Sequence, residues 1–456
     1  MKNQRMEEWN DGIMEEWKNG RTEEWKIGRR EDWNNGRTEG WNDGRLEDRG
    51  GSRGMTRQEK VLVALTSCSH ALTHGYLLIF PAVLLLLKEE FGMGYLGLGV
   101  ISSIMTFAYG LGALPGGLIY NRFGAKKLYL LCFLGSAGAC LLVAASPNLL
   151  LFTSGLALLG ALGSVYHPMV NSLITSKVKE YGLALGIHGA TGNIGMALAP
   201  VIAGLIASRW GWRWVYVCFM APGVVLSMGS LFVDMSVKKE SKPGPSEASV
   251  SPGPAPKGKD FWTFFSFPLL LLYLLNWLQS FSFHGAATFL PTYMAMHTSF
   301  QVLSWDSVAI GGMLSGLALF MGVFGQYTGG LLGERPHLER NLVVMTAGAF
   351  PFLLSMAFVK DAPMVIMALF FFFFIFSLQP MMNVMLAQRT TLEMRGTAFG
   401  IYFFAAFGVG SLAASFSGYI AQTFGLQSVF LALSGGVLVL IFFSFVFLKL
   451  KTPSHS

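Results

Sequence analysis

Charge is scarce in this chain. Lys, Arg, Asp and Glu make up 13% of its 456 residues, about half the share of a typical soluble protein. After Met55, every carboxylate falls in a connecting stretch or near the end of an apolar run, and none falls in the middle of one. Deep Lys and Arg are missing as well. An intramembrane charge costs about 3 kcal/mol on insertion scales and normally marks a coupling or binding site. Its absence argues against a strict organic-cation carrier and against phosphate esters, nitrate or other small strong anions as cargo. Cysteine is scarce too. Cys68, Cys132, Cys140 and Cys218 all sit in apolar runs, and none is spaced as a metal-binding pair or as part of a disulfide framework. No phosphate loop, nucleophile elbow or other catalytic constellation is present. An enzyme is therefore not expected, and no cofactor and no metal ligand is assigned.

Apolar sequence is abundant. Hydrophobic residues make up 52% of the chain, with 38 Phe and 54 Gly, and the mean hydropathy is +0.49. Runs of about 20 apolar residues, enough to cross a bilayer, recur along it. Only helices satisfy their own backbone in lipid when no closed barrel forms. The fold class is therefore an all-α membrane protein with 12 transmembrane helices. The expected spans are 60–87, 95–120, 126–145, 148–175, 182–208, 212–234, 263–296, 303–331, 340–359, 362–389, 394–423 and 427–449. Residues 236–262 contain a Pro- and Lys-rich stretch, "SVKKESKPGPSEASVSPGPAPKGKD", expected to be a solvated cytoplasmic linker between residues 55–235 and 263–456.

Residues 1–54 differ from the rest. An octapeptide repeat runs from 7 to 44, with Trp9, Trp17, Trp25, Trp33 and Trp41 in register. A glycine every eight residues suits neither a stable helix nor a solenoid core. This tail is expected to be disordered, or to precede a true start at Met55; an interaction tail is the alternative. It has no apolar core like that of a secretory signal. The tail is acidic on balance, with 11 basic and 13 acidic residues, whereas the remainder carries 22 and 13. That basic excess is what cytoplasmic loops produce, so nucleic acid is not an expected partner. Of the basic residues from Met55 onward, only Lys88, Arg209, Arg213 and Lys360 fall on the opposite side. Both termini are thus expected in the cytoplasm, in the inner membrane if the cell is bacterial.

The two halves repeat each other. "HGYLLIFP" at 74–81 matches "HGAATFLP" at 284–291, and "GGLIYNRFGAKK" at 116–127 matches "GGLLGERPHLER" at 329–340. "HPMVN" at 167–171 matches "QPMMN" at 379–383, while Gly182, Gly186, Gly204 and Gly211 match Gly396, Gly400, Gly418 and Gly425. The offsets stay between 210 and 214 residues. Two repeated six-helix bundles are the plan of an alternating-access transporter. Polar residues form stripes on the matching helices. Thr66, His70 and His74 share one face of helix 1, and Asn276, Ser280 and His284 occupy the same positions of helix 7. His167 and Asn171 of helix 4 are mirrored by Gln379 and Asn383 of helix 10. His188 and Asn193 of helix 5 and Gln279 of helix 7 complete the candidate cavity set.

With these residues the sequence resembles the major facilitator superfamily across roughly residues 56–450. Gly117, Ile119, Asn121, Arg122, Gly124, Lys126 and Lys127 are similar to that family's cytoplasmic gate motif, with Asn121 in place of the usual aspartate. The second copy keeps Glu334 beside Arg335. Gly186, Gly195, Ala199, Pro200, Ala203 and Gly204 resemble its helix 5 antiporter motif. Helix 11 lacks the proline, which resembles exporters more than importers. "GALGSVYHP" with "GATGNIGMALAP" is similar to the fosmidomycin-resistance and drug-exporter branch. There an acid usually follows the proline, where this chain has Met169. The arginine of many drug/proton antiporters is also missing, and Leu156 lies near its position. The resemblance implies that helices 1, 4, 7 and 10 line a central cavity and that small residues of helix 5 meet the other half.

Histidine titrates near neutrality and can replace a carboxylate as proton carrier. The expected function is proton-coupled export of a neutral or amphiphilic small molecule, with His74, His167 or His284 carrying the proton. Aromatic contacts are expected from Tyr76, Tyr109, Tyr166 and Trp277. Uptake or exchange of a monocarboxylate or similar metabolite is the alternative, and a membrane sensor with a transporter fold is the rival of another class. Expected partners are a small-molecule substrate, protons and the lipid bilayer, with the chain working as a monomer.

Overall fold

The computed structural model describes residues 54–112, 114–236, 264–302 and 304–450. The octapeptide repeat and nearly all of the Pro-rich stretch lie outside them. Every regular element among the described residues is helical. Twelve spans follow in order. They are α1 (Arg57–Ala82, continued by Leu84–Glu90), α2 (Tyr95–Leu111 and Gly116–Phe123), α3 (Ala125–Ala144), α4 (Leu149–Gly163 and Tyr166–Lys177), α5 (Tyr181–Trp210) and α6 (Trp212–Leu231). The second set is α7 (Phe267–His297), α8 (Ser307–Gly333), α9 (Leu338–Met356), α10 (Asp361–Gln388), α11 (Leu392–Phe403 to Leu412–Phe424) and α12 (Leu426–Lys449).

Nine described spans are both long and apolar enough to cross a bilayer. The other three are explained by their residues. The chain interrupts α2 after Leu111, α7 carries Asn276, Gln279 and His284, and α9 opens on Glu339 and Arg340. Local chemistry sets the boundaries. At the start of α1, the Thr56 hydroxyl accepts from Glu59 N at 3.3 Å and the Glu59 carboxylate accepts from Thr56 N at 2.7 Å. This reciprocal cap satisfies two otherwise orphaned donors. Glu59 also accepts Lys179 N from the α4–α5 connection at 2.8 Å, tying two loops on one face. Gly211 and Gly425, matched by the internal repeat, separate α5 from α6 and α11 from α12 at φ +84° and +89°. That left-handed region is one a side chain strains to enter.

The prolines act differently in the two halves. Around Pro168, α4 breaks between Gly163 and Tyr166, whereas α10 runs unbroken through Pro380. Gly160 and Gly163 precede the first proline and Phe372–Phe376 the second. Glycine holds a helix poorly once a backbone bond is lost, while bulky packed residues hold it in place. Helix α11 has no proline but still departs from α-geometry, with a π-turn at Phe404–Gly408 and a 3₁₀ turn at Val409–Ser411.

The halves meet along α2 with α11 and along α5 with α8. Contacts gather toward one end. There Ser103 Oγ donates to Ser411 O at 2.5 Å and Leu96 N donates to Gln422 Oε1 at 3.1 Å. A Cβ on Gly312 would lie 2.3 Å from Pro200 O, so only glycine admits this approach of α8 to α5. The helix 5 motif divides between two partners. Gly195 packs against the Ala71 backbone of α1, within the same half, and Gly204 against Val308 and Gly312 of α8. Gly186, expected at the interface, faces open space. Trp210 and Trp214 are exposed, whereas Trp212 is buried and its Nε1 donates to Glu90 at 2.5 Å.

Candidate functional site: a chamber between the two halves

A chamber of about 470 Å³ lies among α1, α2, α4, α5, α7, α8, α10 and α11. Its volume falls in the usual range for small-molecule sites. All eleven residues singled out as cavity candidates line it: His70, His74, His167, Asn171, His188, Asn193, Asn276, Gln279, His284, Gln379 and Asn383. They come from α1, α4, α5, α7 and α10. Spacings of three or four residues put His70 with His74, His167 with Asn171, Asn276 with Gln279 and Gln379 with Asn383 on one face each, while His188 and Asn193 are five apart. Among the described residues, no lining residue is Asp, Glu, Lys or Arg.

The imidazoles gather on the amino-terminal wall. His70 Nδ1 pairs with His188 O at 2.6 Å. A backbone carbonyl can only accept, so Nδ1 carries the hydrogen and Nε2 presents a lone pair. His74 Nε2 lies 3.0 Å from that His70 Nε2. The His188 ring stacks on His70 with centroids 4.1 Å apart and planes 9° apart, and His167 meets His70 edge-on at 5.0 Å. Both ring nitrogens of His188 are buried without a partner. His284 stands on α7 of the other half, against Phe283 and Phe407 at 5.0 and 5.3 Å.

The carboxyl-terminal wall is made of amides. Asn276 Nδ2 donates to Tyr402 O at 2.7 Å, and Gln279 Nε2 to Ile375 O at 3.3 Å. Gln326 of α8, which the stripe pattern does not single out, links the halves. It accepts from Asn193 Nδ2 and donates to Gln379 Oε1 at 3.1 Å. Its signal in the sequence was a single amide in the apolar run of α8. The Asn383 Oδ1 is buried and unpartnered.

The expected aromatic contacts are not there. Tyr76, Tyr109, Tyr166 and Trp277 all point away from the chamber lining, which uses Phe283, Phe376, Phe403 and Phe407 instead. Tyr76 donates to Phe219 O at 3.3 Å and Tyr166 to Thr66 O at 2.5 Å. Each lies one or two positions from a chamber histidine, and a helix turns about 100° per residue. The neighbour in sequence therefore faces another helix.

The gate motif makes no ion pair across the halves among the described residues. Gly117 and Asn121 have no described side chain. Gly124, at φ +75°, turns the chain from α2 into α3. Arg122, Glu334 and Arg335 are exposed, and Lys126 Nζ donates to Leu231 O at 3.0 Å within its own half. The buried pair on this face is Arg389 Nη2 with Glu339 Oε1 at 2.9 Å. Glu339 stands where the repeat places Lys126 in the first half, so an acid opposite a matched base was the available signal.

Twelve apolar spans in two repeated bundles, enclosing a polar chamber between them, define a polytopic membrane transporter. The Major Facilitator Superfamily model matches residues 64–415. The chain belongs to that family. Its relatives include a probable sulfoacetate transporter, SauU, of Cupriavidus necator, 25% identical over 77% of this chain and 85% of that protein. The multidrug resistance protein MdtG of Klebsiella pneumoniae is 25% identical over 83% of this chain and 91% of its own length. A probable L-galactonate transporter of Escherichia coli is 22% identical over 74% and 78%. A bacterial homolog of the human lysosomal transporter Spinster, solved inward-facing and occupied, superposes with TM-score 0.73 at 14% identity, covering 88% of this chain and all of that one. This likeness shows the fold.

Proposed function

We propose that the protein is a proton-coupled exporter of a neutral or amphiphilic small molecule, captured with its chamber facing the cytoplasm. The observation that carries this is the chemistry of the chamber wall: imidazoles, amides and phenylalanine rings, with no fixed charge. Such a wall desolvates an amphiphile at little cost and offers hydrogen bonds for orientation. A strongly charged solute would lose its hydration without a counter-charge.

The orientation follows from the basic loops. They place the packed ends of α2, α5, α8 and α11 outside, while the chamber extends inward toward Thr175 and Leu185. The gate motif residues on the cytoplasmic face would meet only in the outward-facing state. Localisation in the inner membrane with both termini in the cytoplasm belongs to the same proposal.

His284 is the proton carrier in this scheme. It stands apart from the cluster on the opposite wall, with its ring against Phe283 and Phe407. The experiment is flux in proteoliposomes with an imposed pH gradient, alkaline inside. His284→Gln is expected to bind substrate normally and to lose at least tenfold of gradient-driven transport. Undiminished driven flux in this variant rejects the assignment, and flux that moves no proton in the unaltered protein rejects coupling.

Uptake of a small organic anion is the second reading. A protonated histidine cluster would serve as its counter-charge, and the SauU and L-galactonate relatives carry names of that kind. Sided uptake assays distinguish the two directions.

A further inference from the structure

The amino-terminal wall holds an arrangement that hydrogen bonding alone leaves unused. His70 and His74 are spaced i, i+4 on α1, the helical spacing by which two imidazoles reach one metal ion. His167 joins them from α4. One ring nitrogen from each of the three lies within 4.8 Å of the others. The two α1 nitrogens are 3.0 Å apart. Two imidazoles on one tetrahedral zinc, at about 2.0–2.1 Å each, would be separated by roughly 3.4 Å, so a small rotation of one ring suffices.

The outer contacts are in place as well. A metal-bound histidine almost always donates its second N–H to a carbonyl or carboxylate, which fixes the tautomer and aims the free lone pair. His70 does this through Nδ1 to His188 O at 2.6 Å. The His188 side chain itself is 3% exposed, lines the chamber and leaves both nitrogens unpartnered.

We propose that His70, His74 and His167 form a binding site for a divalent transition-metal ion, with a fourth coordination position open to the chamber. The donor set selects its chemistry. Three neutral imidazoles without a carboxylate suit zinc, cobalt or nickel and exclude magnesium and calcium, which require oxygen. Three protein ligands and one open position form an exchangeable site, unlike a closed structural one. The open position faces the amides and phenylalanines of the opposite wall. The cargo this arrangement fits is a metal ion carried with a small chelating molecule, which would neutralise the ion's charge while its apolar part meets Phe283 and Phe407. The site deepens the transport reading, but its test needs no transport.

The test uses the full chain, purified without an affinity tag and titrated with cobalt chloride alone. The expected result is one cobalt per chain with the visible bands of a tetrahedral nitrogen-ligated ion. His74→Gln and His167→Gln, each checked for unaltered thermal unfolding without metal, should weaken binding by more than the about 10–100-fold that losing an outer partner costs. His297→Asn, outside the chamber lining, should leave binding unchanged. A second measurement needs no variant. Zinc should protect His74 and His167 from diethyl pyrocarbonate, read residue by residue by mass spectrometry, while His284 and His297 stay reactive. Absence of the bands, their persistence in both chamber variants, or equal modification with and without zinc overturns the proposal. Absence of metal binding in the unaltered protein, with its pH-driven flux of a metal-free substrate intact, would reject this site and leave the transport reading standing.

Discussion

The two walls of the chamber start from one repeated plan and end with different chemistry. In the first half, the His70 side chain of α1 donates to the carbonyl of residue 188 on α5. In the second, Asn276 of α7 donates to the carbonyl of Tyr402 on α11, the position 214 residues after His188. The accepting positions match in the repeat, but the donors do not: Asn276 corresponds to Thr66, one turn before His70. His167 likewise faces Gln379, its counterpart in the repeat. Repetition preserved the backbone geometry, because close helix contacts tolerate little change in side-chain volume or backbone position. The side chains at the ends of those contacts were free to diverge. An imidazole can hydrogen-bond, take a proton or hold a transition metal, whereas an amide hydrogen-bonds and does not titrate. The chamber therefore has one wall able to change its charge and one that cannot, His284 being the exception on the second.

The largest effect tests the matched links directly. Asn276→Leu removes the side-chain donor to the Tyr402 carbonyl, and His70→Leu removes one of two side-chain donors to the His188 carbonyl, which keeps Thr191 Oγ1 at 2.9 Å, each at a cost of about 0.5–1.5 kcal/mol. Thermal unfolding in detergent should fall for both. His70→Leu should fall further, because it also strips the ring partner from His188 and the nitrogen partner from His74. Equal losses would mean that the histidine cluster adds nothing to stability beyond the shared link.

A smaller effect is expected where the walls touch. Gln326→Leu removes both amide bonds that join Asn193 to Gln379 across the halves. Interhelical hydrogen bonds in membranes average about 0.6 kcal/mol each, and only the bond to Asn193 crosses between the halves, so the conformational equilibrium should move roughly threefold away from the present state. Labelling of Thr175→Cys by an impermeant maleimide from the cytoplasmic side should drop accordingly. Unchanged labelling would show that the bridge is equally satisfied in both states.

The smallest effect lies outside the chamber. Lys177 Nζ meets Asp234 Oδ2 at 2.5 Å with the aspartate two-thirds exposed. Exposed pairs contribute about 0–1 kcal/mol, so Lys177→Ala should leave the unfolding temperature within about one degree of the parent. Lys177, followed by the Ser236 contacts, holds the Asp234 carboxyl below its ordinary range. Whatever stability this adds is present at neutral pH and is lost only as pH falls through that lowered value. A stability change on acidification near neutrality therefore does not come from this pair.

Much of this architecture could be read from residue order. Apolar length and basic sidedness indicated twelve spans, and the repeated segments divided them into two halves. Stripe spacing, together with the resemblance that named the cavity helices, picked out eight of the eleven residues that the chamber gathers, because a side chain's face on a straight helix follows from its position in the turn. The same rule, applied to Tyr76, Tyr166 and Trp277, would have turned them away from the chamber. Gln326 escaped because one amide in an apolar helix shows no period.

What the sequence by itself determined was therefore local and periodic: which segments span, where they start, and which faces are polar. What only the tertiary structure decided was which faces meet. It stacked His188 on His70, brought His167 within reach of the α1 pair, buried Trp212 against Glu90 and paired Arg389 with Glu339 in place of the expected gate residues. The physical reason is that a helix fixes the direction of each side chain relative to its own axis. The crossing of one helix over another is set by small residues such as Gly312, by breaks such as the one before Tyr166, and by every other helix packed around the pair.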